Sequence, residues 1–182
     1  MIELFAILSA AVGTVPVQVE ADLRCAVALS YVRDLVKGAR GRRLVFSTNE
    51  QPSLDIINGG WFEADAAIGQ PKPLSAPSPD LIERLARTNG NAVRRCWSVR
   101  QFLRSSGISY GAQSAKAART RVVFRAYIET VSLPVVSLDQ HQAVLARGEM
   151  HGSEDGGGWF ELLQSTADGK WKVIGFRPTW MS

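Results

Sequence analysis

The chain has two histidines, His141 and His151, and both stand in a run of seventeen residues that is rich in acids. Imidazole and carboxylate groups are common ligands of divalent metals. The run lacks the H-E-x-x-H spacing of metalloproteases, and it falls where we predict turns and strand ends, which are polar in most proteins. We therefore predict no metal and no other cofactor. The acids are Asp139, Glu149, Glu154 and Asp155.

Candidate nucleophiles are also present, but none stands in the structural context that a catalytic motif needs. Ser109 lies in the run GISYG, residues 107–111, which has the G-x-S-x-G spacing, but this run follows a predicted helix rather than the strand from which a nucleophile elbow turns. Cys96 could act with the distant His141 only as a free thiol, and a disulfide with Cys25 would exclude that role. We therefore assign no catalytic residue. The serines considered are Ser105, Ser106, Ser109 and Ser114.

The distribution of charge along the chain is more informative than these candidate ligands and nucleophiles. The chain carries a formal net charge of +4, but residues 84–125 hold ten basic and no acidic residues, so the rest of the chain carries −6. Such segregation can create a positive surface that attracts anions. The alternative is that these side chains are solvated or paired with the acidic remainder. The arginines that we expect to bind anions are Arg94, Arg95, Arg100, Arg104, Arg119 and Arg121.

The aromatic residues Trp97, Phe102 and Tyr110 lie in the same basic region. Aromatic and basic side chains together are typical of surfaces that bind single-stranded nucleic acid. The compartment decides between partners. An exported protein would meet an anionic envelope component or an acidic protein, whereas nucleic acid is the expected partner only in the cytoplasm.

Residues 1–21 have two interpretations. The segment is apolar, and Val19 and Ala21 satisfy the small-residue rule of a signal-peptidase site, although Glu3 stands where a basic residue is expected. The alternative is a buried N-terminal strand with Pro16 at an edge. We favour a signal peptide and a periplasmic or secreted domain, residues 22–182, that contains no transmembrane span.

Cysteine content is compatible with export. Cys25 and Cys96 both follow the proposed cleavage site, and in an oxidising compartment they can form a disulfide. Two separate buried thiols are the alternative.

Helical patterns dominate the first two thirds of the chain. Asp22 as N-cap and apolar residues at helical spacing predict a helix over residues 22–37, with Gly38 just beyond it. Ser78, followed by proline, predicts a second helix to about residue 88. Ser98 and Gln101 form a capping box for a third helix, which ends at Gly107.

Strand patterns dominate the end of the chain. Residues 44–47 and 54–62 predict two early strands, and residues 69–79 predict an irregular proline-rich loop. Residues 121–177 alternate β-branched, aromatic and polar residues, and Asp168 with Gly169 predicts a hairpin. We therefore predict an α+β fold in which N-terminal helices cover one face of a curved antiparallel sheet formed mainly by residues 121–177.

The three glycines at positions 156–158 could in principle cradle a phosphate. They introduce no helix, however, and contain neither G-K-S/T nor G-x-G-x-x-G. We interpret them as a turn or bulge that bends the sheet. Trp159 and Trp171 are then expected on neighbouring strands in cross-strand contact.

The ending combines this glycine cluster with an aromatic strand, the run DGKWKV at residues 168–173, and Trp180. It resembles the ending of a group of small exported bacterial proteins of unknown function. It is also similar to the last hairpin of nuclear-transport-factor-2-like, cone-shaped α+β domains. The resemblance implies export and a fold that hosts both enzymes and ligand-binding proteins. Members of the exported group often carry cysteines near the glycines, whereas this chain has none after Cys96.

Three functions follow as hypotheses. The preferred one is an exported, non-catalytic binding or accessory module that engages an anionic partner through residues 84–125. The second is a cytoplasmic nucleic-acid-binding protein that uses the same arginines. The third is an enzyme with its pocket between the helices and the sheet of a cone-shaped α+β fold, for which a closed apolar pocket with converging polar groups would be the sign.

Overall fold

The computed structural model describes residues 17–49, 60–65, 72–88, 90–119, 126–152 and 155–181. Over these ranges the chain forms five helices and one mixed sheet of nine strands, which confirms the predicted α+β class. The helices are α1 (Val17–Gly38), α2 (Pro79–Arg87), α3 (Ala92–Arg95), α4 (Trp97–Ser105) and α5 (Ala112–Arg119). The strands are β1 (Leu44–Phe46), β2 (Trp61–Glu63), β3 (Pro73–Leu74), β4 (Ser109–Tyr110), β5 (Tyr127–Val131), β6 (Val135–Val136), β7 (Gln142–Met150), β8 (Gly156–Ser165) and β9 (Trp171–Met181).

Several predicted features fall partly or wholly outside the described residues. They include most of the predicted signal peptide, the first part of the predicted strand over residues 54–62, and Arg121. Of the predicted proline-rich loop, residues 73–74 form β3, which pairs antiparallel with β2. No helix within the described ranges is long and apolar enough to cross a membrane.

Helix α1 confirms the predicted N-terminal helix but is longer. It begins at Val17 rather than at the predicted N-cap Asp22, and Gly38 is its last residue instead of the residue beyond it. The left-handed backbone that follows falls on Arg40, with φ 46°, and on Gly41, with φ 84°. The reversal therefore comes two residues later than the glycine pattern predicted.

The sheet is antiparallel over most of its width and parallel at one side. Its strand order is β3-β2-β9-β8-β7-β5-β1-β4, with β6 paired to β7. Strands β5, β7, β8 and β9 form the predicted antiparallel part. Strand β1 pairs parallel with both β4 and β5, because helices intervene between β1 and these strands and crossover connections of that kind make parallel neighbours.

Helices cover both faces of the sheet, so the prediction that they cover one face is wrong. Leu44 and Phe46 of β1 pack with α1, α3 and α4 in the largest core cluster. Val45, which points the opposite way, packs with Ala115 of α5. Helix α2 covers another part of that second face through Leu81 and Leu85.

The helices of the middle segment differ from the capping prediction. Helix α2 begins at Pro79 as predicted. Helix α4, however, has Cys96 as its N-cap, so the capping box at Ser98 and Gln101 does not form. The preceding α3 was not predicted; the Asn91 side chain caps it by accepting a hydrogen bond from the Arg94 backbone N–H at 3.1 Å. Because Asn91 starts the helical segment earlier, Ser98 lies inside α4.

The last hairpin confirms the turn prediction and corrects one contact. Gly169 has φ 75°, and the Thr166 N–H donates to the Lys170 carbonyl at 2.8 Å across the turn. Trp159 and Trp171 do lie on neighbouring strands, but Trp159 is opposite Pro178 and Trp171 is opposite Ser165. They are therefore not cross-strand partners, because the register places them at different heights in the sheet.

The glycine cluster lies within β8, and its pairing with β9 shifts register between Gly158 and Trp159, which confirms the predicted bulge. The glycines are needed for close approach rather than for positive φ. A Cβ atom on Gly158 would lie 2.5 Å from Thr179 Oγ1 and closer still to the Trp180 indole nitrogen. The Trp180 side chain thus occupies space that any larger residue at position 158 would need.

Replacing Gly158 with alanine should lower the free energy of unfolding by about 1–3 kcal/mol, because the new methyl group overlaps neighbouring side chains. Urea denaturation of the variant and the parent protein measures this loss. Gly38→Ala is the matched control, since nothing lies within 4 Å of the position that its Cβ atom would take. That change should be neutral or stabilising by up to about 1 kcal/mol. Equal losses at both positions would contradict the packing argument.

Candidate functional site

Four of the six predicted anion-binding arginines lie together on α3 and α4. Arg94, Arg95 and Arg104 are exposed, and Arg100 is half-buried. Trp97 lies among them with 59% of its surface exposed. The guanidinium carbons of Arg100 and Arg104 lie 5.7 and 5.9 Å from the centre of its ring, which is cation–π distance. We call these five residues the Arg–Trp surface.

Local contacts rather than acids position the Arg100 and Arg104 side chains. Arg100 Nη1 donates to the Val93 carbonyl at 3.0 Å and also to the Arg94 carbonyl, both near the C-terminal end of α3. A cation there is favourable because carbonyl groups at a helix end lack helical partners. Arg104 Nη2 donates to the Tyr110 hydroxyl at 3.3 Å. Within the described part of the chain, no carboxylate pairs with the four arginines of the Arg–Trp surface.

Two other arginines of the basic region, both on α2, are paired with acids. Arg84 pairs with Glu20 at 3.5 Å and with Asp80 at 3.4 Å, and Arg87 pairs with Glu83 at 3.2 Å. These two arginines therefore fit the alternative interpretation, in which acids neutralise the basic residues.

The structure does not bring Arg119, the fifth predicted anion-binding arginine, to the Arg–Trp surface. Arg119 ends α5, which packs on the opposite face of the sheet, and its Nη2 lies 3.4 Å from Met150 Sδ. Arg121 lies outside the described residues.

The predicted aromatic residues are mostly used for packing. Phe102 and Tyr110 are half-buried and pack against the main core. The Arg33 guanidinium of α1 lies 5.5 Å from the Phe102 ring centre. Of the three aromatic residues singled out in the sequence, only Trp97 is exposed.

The structure separates the two histidines. They flank opposite ends of β7, about 30 Å apart at the usual rise of a strand. His151 Nδ1 lies 2.7 Å from Asp155 Oδ2, whereas the His141 ring nitrogen Nδ1 lies 3.5 Å from Ser165 Oγ. Among the residues that the structure describes, no group of three or more potential ligands could hold a metal ion; Glu154 lies outside them.

Cys25 and Cys96 form the predicted disulfide, with an S–S distance of 2.09 Å. The bond joins α1 to the residue between α3 and α4, and Cys96 is fully buried. It excludes Cys96 as a nucleophile, and it is compatible with the predicted export.

A buried ionic cluster on the sheet was missed by sequence reasoning. Arg147 on β7 makes a bidentate pair with Glu129 on β5, in which both hydrogen bonds measure 2.9 Å, and it also donates to Glu149. The Trp159 ring centre lies 5.3 Å from its guanidinium carbon. Only 1% of the Glu129 side chain is exposed. Burial raises the pKa of Glu129, and the hydrogen bonds from Arg147 oppose that rise.

A second buried carboxylate, Glu161 on β8, lies beside this cluster. The Tyr31 hydroxyl of α1 donates to its Oε1 at 3.3 Å. Burial raises the pKa of Glu161 to about 7, against the opposing effects of the Arg147 charge and the Tyr31 hydrogen bond. Burial, together with the nearby Glu161 charge, also raises the pKa of Tyr31 well above its usual value, so this phenol stays neutral.

Tyr31, Arg147 and Glu161 line a cavity of about 250 Å³ between α1 and the sheet. Polar groups converge there, but the cavity is open to solvent and has charged residues in its lining, so it is not the closed apolar pocket that the third functional hypothesis requires. A second cavity, of about 160 Å³, lies beneath α5 and has Arg43 and two serines among its lining residues. The lining of the larger cavity includes Tyr31, Arg147, Glu161, Leu163, Trp171 and Val173.

A sequence signal for the larger cavity does exist. Glu129, Arg147 and Glu161 are charged residues inside strands that are otherwise largely buried. Charged residues at inward positions of a strand need partners, so each could have been flagged as a member of a buried cluster. Which of them meet depends on strand register, and the sequence did not define that register.

No protein-family model, curated protein or solved structure matches this chain. The resemblance to exported bacterial proteins and to nuclear-transport-factor-2-like domains therefore stays a prediction.

Proposed function

We propose that the protein is an exported binding module whose Arg–Trp surface engages anionic phospholipid headgroups of the cell envelope. The observation that carries the proposal is Trp97, which is largely exposed and lies against two guanidinium groups. Two further exposed arginines, Arg94 and Arg95, extend the positive charge. We assign no catalytic role to this surface.

The chemistry of the surface suits a lipid interface. Tryptophan is favoured where an apolar ring meets a polar boundary, and arginine can bury its stem while its charged head stays among polar groups. Each basic residue near an anionic membrane surface contributes about 1 kcal/mol of attraction. Because the four arginines have no carboxylate partners in the described part of the chain, their charge is available to phosphate groups.

The same geometry disfavours the nucleic-acid hypothesis. Single-strand binding surfaces present successive aromatic platforms on which bases stack. Here Phe102 and Tyr110 pack into the protein and only Trp97 is exposed. Two guanidinium groups beside one exposed aromatic ring fit a headgroup surface better than they fit a strand of stacked bases.

Replacing both Arg94 and Arg95 with glutamine should weaken binding to phosphatidylglycerol vesicles about thirtyfold, since two attractions of about 1 kcal/mol are lost. Co-sedimentation with vesicles measures the partition coefficient, and phosphatidylcholine vesicles provide the neutral reference. The matched control is Arg84→Gln/Arg87→Gln, which removes the same net charge from arginines that are already paired. That variant should lose less than about threefold.

Two results would contradict the proposal. One is equal binding of the parent protein to anionic and neutral vesicles. The other is an equal loss in the two double variants, which would show that net charge rather than the Arg–Trp surface governs binding. Trp97→Ala gives an independent measurement, because it should weaken binding to anionic vesicles to a similar extent at low and high salt, unlike the arginine variants.

A further inference from the structure

The larger cavity, between α1 and the sheet, has more acidic than basic side chains in its lining. Arg147 uses its Nε and Nη2 atoms on Glu129 and Glu149, so two carboxylates already share this one guanidinium. Glu161 also lines the cavity but makes no hydrogen bond to Arg147. Its one hydrogen-bond partner among the described residues is the neutral Tyr31 hydroxyl. Among the residues that the structure describes, therefore, no cation neutralises the Glu161 carboxylate by direct contact.

The sheet holds the Glu161 side chain at a position where it can contact a ligand in the cavity. It is 9% exposed, and it belongs to a strand that is paired on both sides, with β7 and with β9. A carboxylate so placed loses most of its hydration, and a cationic partner restores the lost stabilisation. A ligand that enters the cavity from solvent would supply this partner if it carries a positively charged group.

The other residues that line the cavity indicate the size of the ligand and the chemistry of its uncharged part. Trp171 and Leu163 are buried apolar residues that line the cavity beside Glu161. Aromatic faces attract organic cations, and apolar walls favour a ligand with a hydrocarbon part. At about 250 Å³ the cavity is smaller than the sites of about 300–1,000 Å³ that accept drug-sized molecules, so the ligand must be small. Asp34, on the exposed side of α1, adds an acid at the rim.

We propose that this cavity binds a small organic amine, whose ammonium group pairs with Glu161 and whose hydrocarbon part packs on Trp171 and Leu163. This site is independent of the Arg–Trp surface, which belongs to other residues and attracts the opposite charge.

The protonation state of Glu161 gives the proposal a pH signature. With a pKa of about 7 in the free protein, Glu161 is mostly ionised at pH 8 and almost fully protonated at pH 5.5. If only the ionised form binds an ammonium group, the apparent dissociation constant should rise about thirtyfold between pH 8 and pH 5.5. Binding should also release a proton near pH 7. The charged and titratable groups that line the cavity or act on Glu161 are Tyr31 and Asp34 from α1, Glu129 from β5 and Arg147 from β7. Two further groups act on these: Glu149 on Arg147, and Lys170, in the turn before β9, on Asp34.

Isothermal titration calorimetry with three ligands of one shape tests the proposal on the unmodified protein. Phenylethylamine supplies the cation, phenylethanol the neutral analogue and phenylacetate the anion. At pH 8 we expect phenylethylamine to bind at least tenfold more tightly than phenylethanol, and phenylacetate to bind most weakly. Failure of all three to bind, or equal binding by the three, would overturn the proposal.

Glu161→Gln keeps the shape of the side chain and removes its charge. This variant should lose the preference for the amine and the pH dependence together. Glu83→Gln, at an exposed position on α2, is the matched control and should bind like the parent protein. Full amine preference in Glu161→Gln would overturn the proposal. If Glu161→Gln does not fold, the ligand series and the pH series on the parent protein still decide: an amine affinity that is unchanged from pH 8 to pH 5.5 rejects the role of Glu161.

Discussion

Replacing both Cys25 and Cys96 with alanine should lower the free energy of unfolding by about 4 kcal/mol. The disulfide joins residues separated by 71 positions, and on the chain-entropy model a cross-link of that span restricts the unfolded chain by about this amount. Alanine is preferred to serine because Cys96 is fully buried among apolar residues, where a hydroxyl would lack a partner. Urea denaturation of the oxidised protein and of the double variant measures the difference.

Reduction provides the control for this prediction. Parent protein treated with a reductant retains both sulfur atoms, so it should lose nearly the same free energy as the double variant if the cross-link itself is the cause. A much larger loss in the variant would assign the effect to the packing of the sulfur atoms. A loss below about 1 kcal/mol in both samples would contradict the entropic argument.

Local patterns were enough to predict much of the fold. Helix α2 begins at Pro79 and the last hairpin turns at Gly169, because proline and glycine restrict or permit the backbone irrespective of the remainder of the chain. The bulge at Gly158 and the disulfide were also predicted. For the disulfide the reason is stoichiometric: two cysteines in an oxidising compartment have one possible pairing within the chain.

What the sequence did not predict depends on contacts between distant segments. Strand β1 is three residues long, and nothing in its sequence shows that it pairs parallel with β4 and β5. All three β1 residues are buried because helices cover both faces of the sheet at this strand. Such a short apolar run is equally compatible with other structures, so the sequence alone does not predict helices on both faces. Tertiary packing therefore decided the features that local propensity left open.

The same distinction applies to the two candidate sites. The Arg–Trp surface was predictable in part, because Arg94, Arg95, Arg100 and Arg104 come from one short segment that folds locally into α3 and α4. Arg119 was predicted with them but belongs to a helix on the other face of the sheet. The sequence could mark Arg147 and Glu161 as charged residues within buried strands, but it could not predict the cavity itself. Tyr31, Arg147 and Glu161 come from three separate elements, and only sheet register and the position of α1 bring them together.

Replacing Arg147 with methionine should lower the free energy of unfolding by about 3–5 kcal/mol at pH 7, because it leaves Glu129 buried without its counterion. The Glu129 side chain is 1% exposed, and both of its hydrogen bonds from Arg147 would be lost. Glu149 is less affected, since His151 Nε2 lies 3.7 Å from its Oε1. Arg87→Met is the matched control: it breaks an exposed pair with Glu83 and should cost less than about 1 kcal/mol.

The double variant Arg147→Met/Glu129→Gln separates the loss of a contact from the exposure of a charge. If the penalty arises from the uncompensated carboxylate, the double variant should be more stable than Arg147→Met alone, because the amide carries no charge. If the penalty arises from lost packing of the arginine side chain, the double variant should be at least as unstable as the single one. Denaturation of the parent, the two single variants and the double variant completes the cycle.

The pH dependence of the Arg147→Met loss follows from the sign of the Glu129 shift. Burial already raises the pKa of Glu129 in the folded protein, with Arg147 opposing the rise, so removing Arg147 must raise it further. A carboxyl group whose pKa is higher in the folded than in the unfolded state holds more protons when folded, and its contribution to stability therefore falls as pH rises. The variant should lose more stability at pH 8 than at pH 5, where protonation of Glu129 relieves the buried charge. A loss that is constant over this range would show that Glu129 is not the source of the penalty.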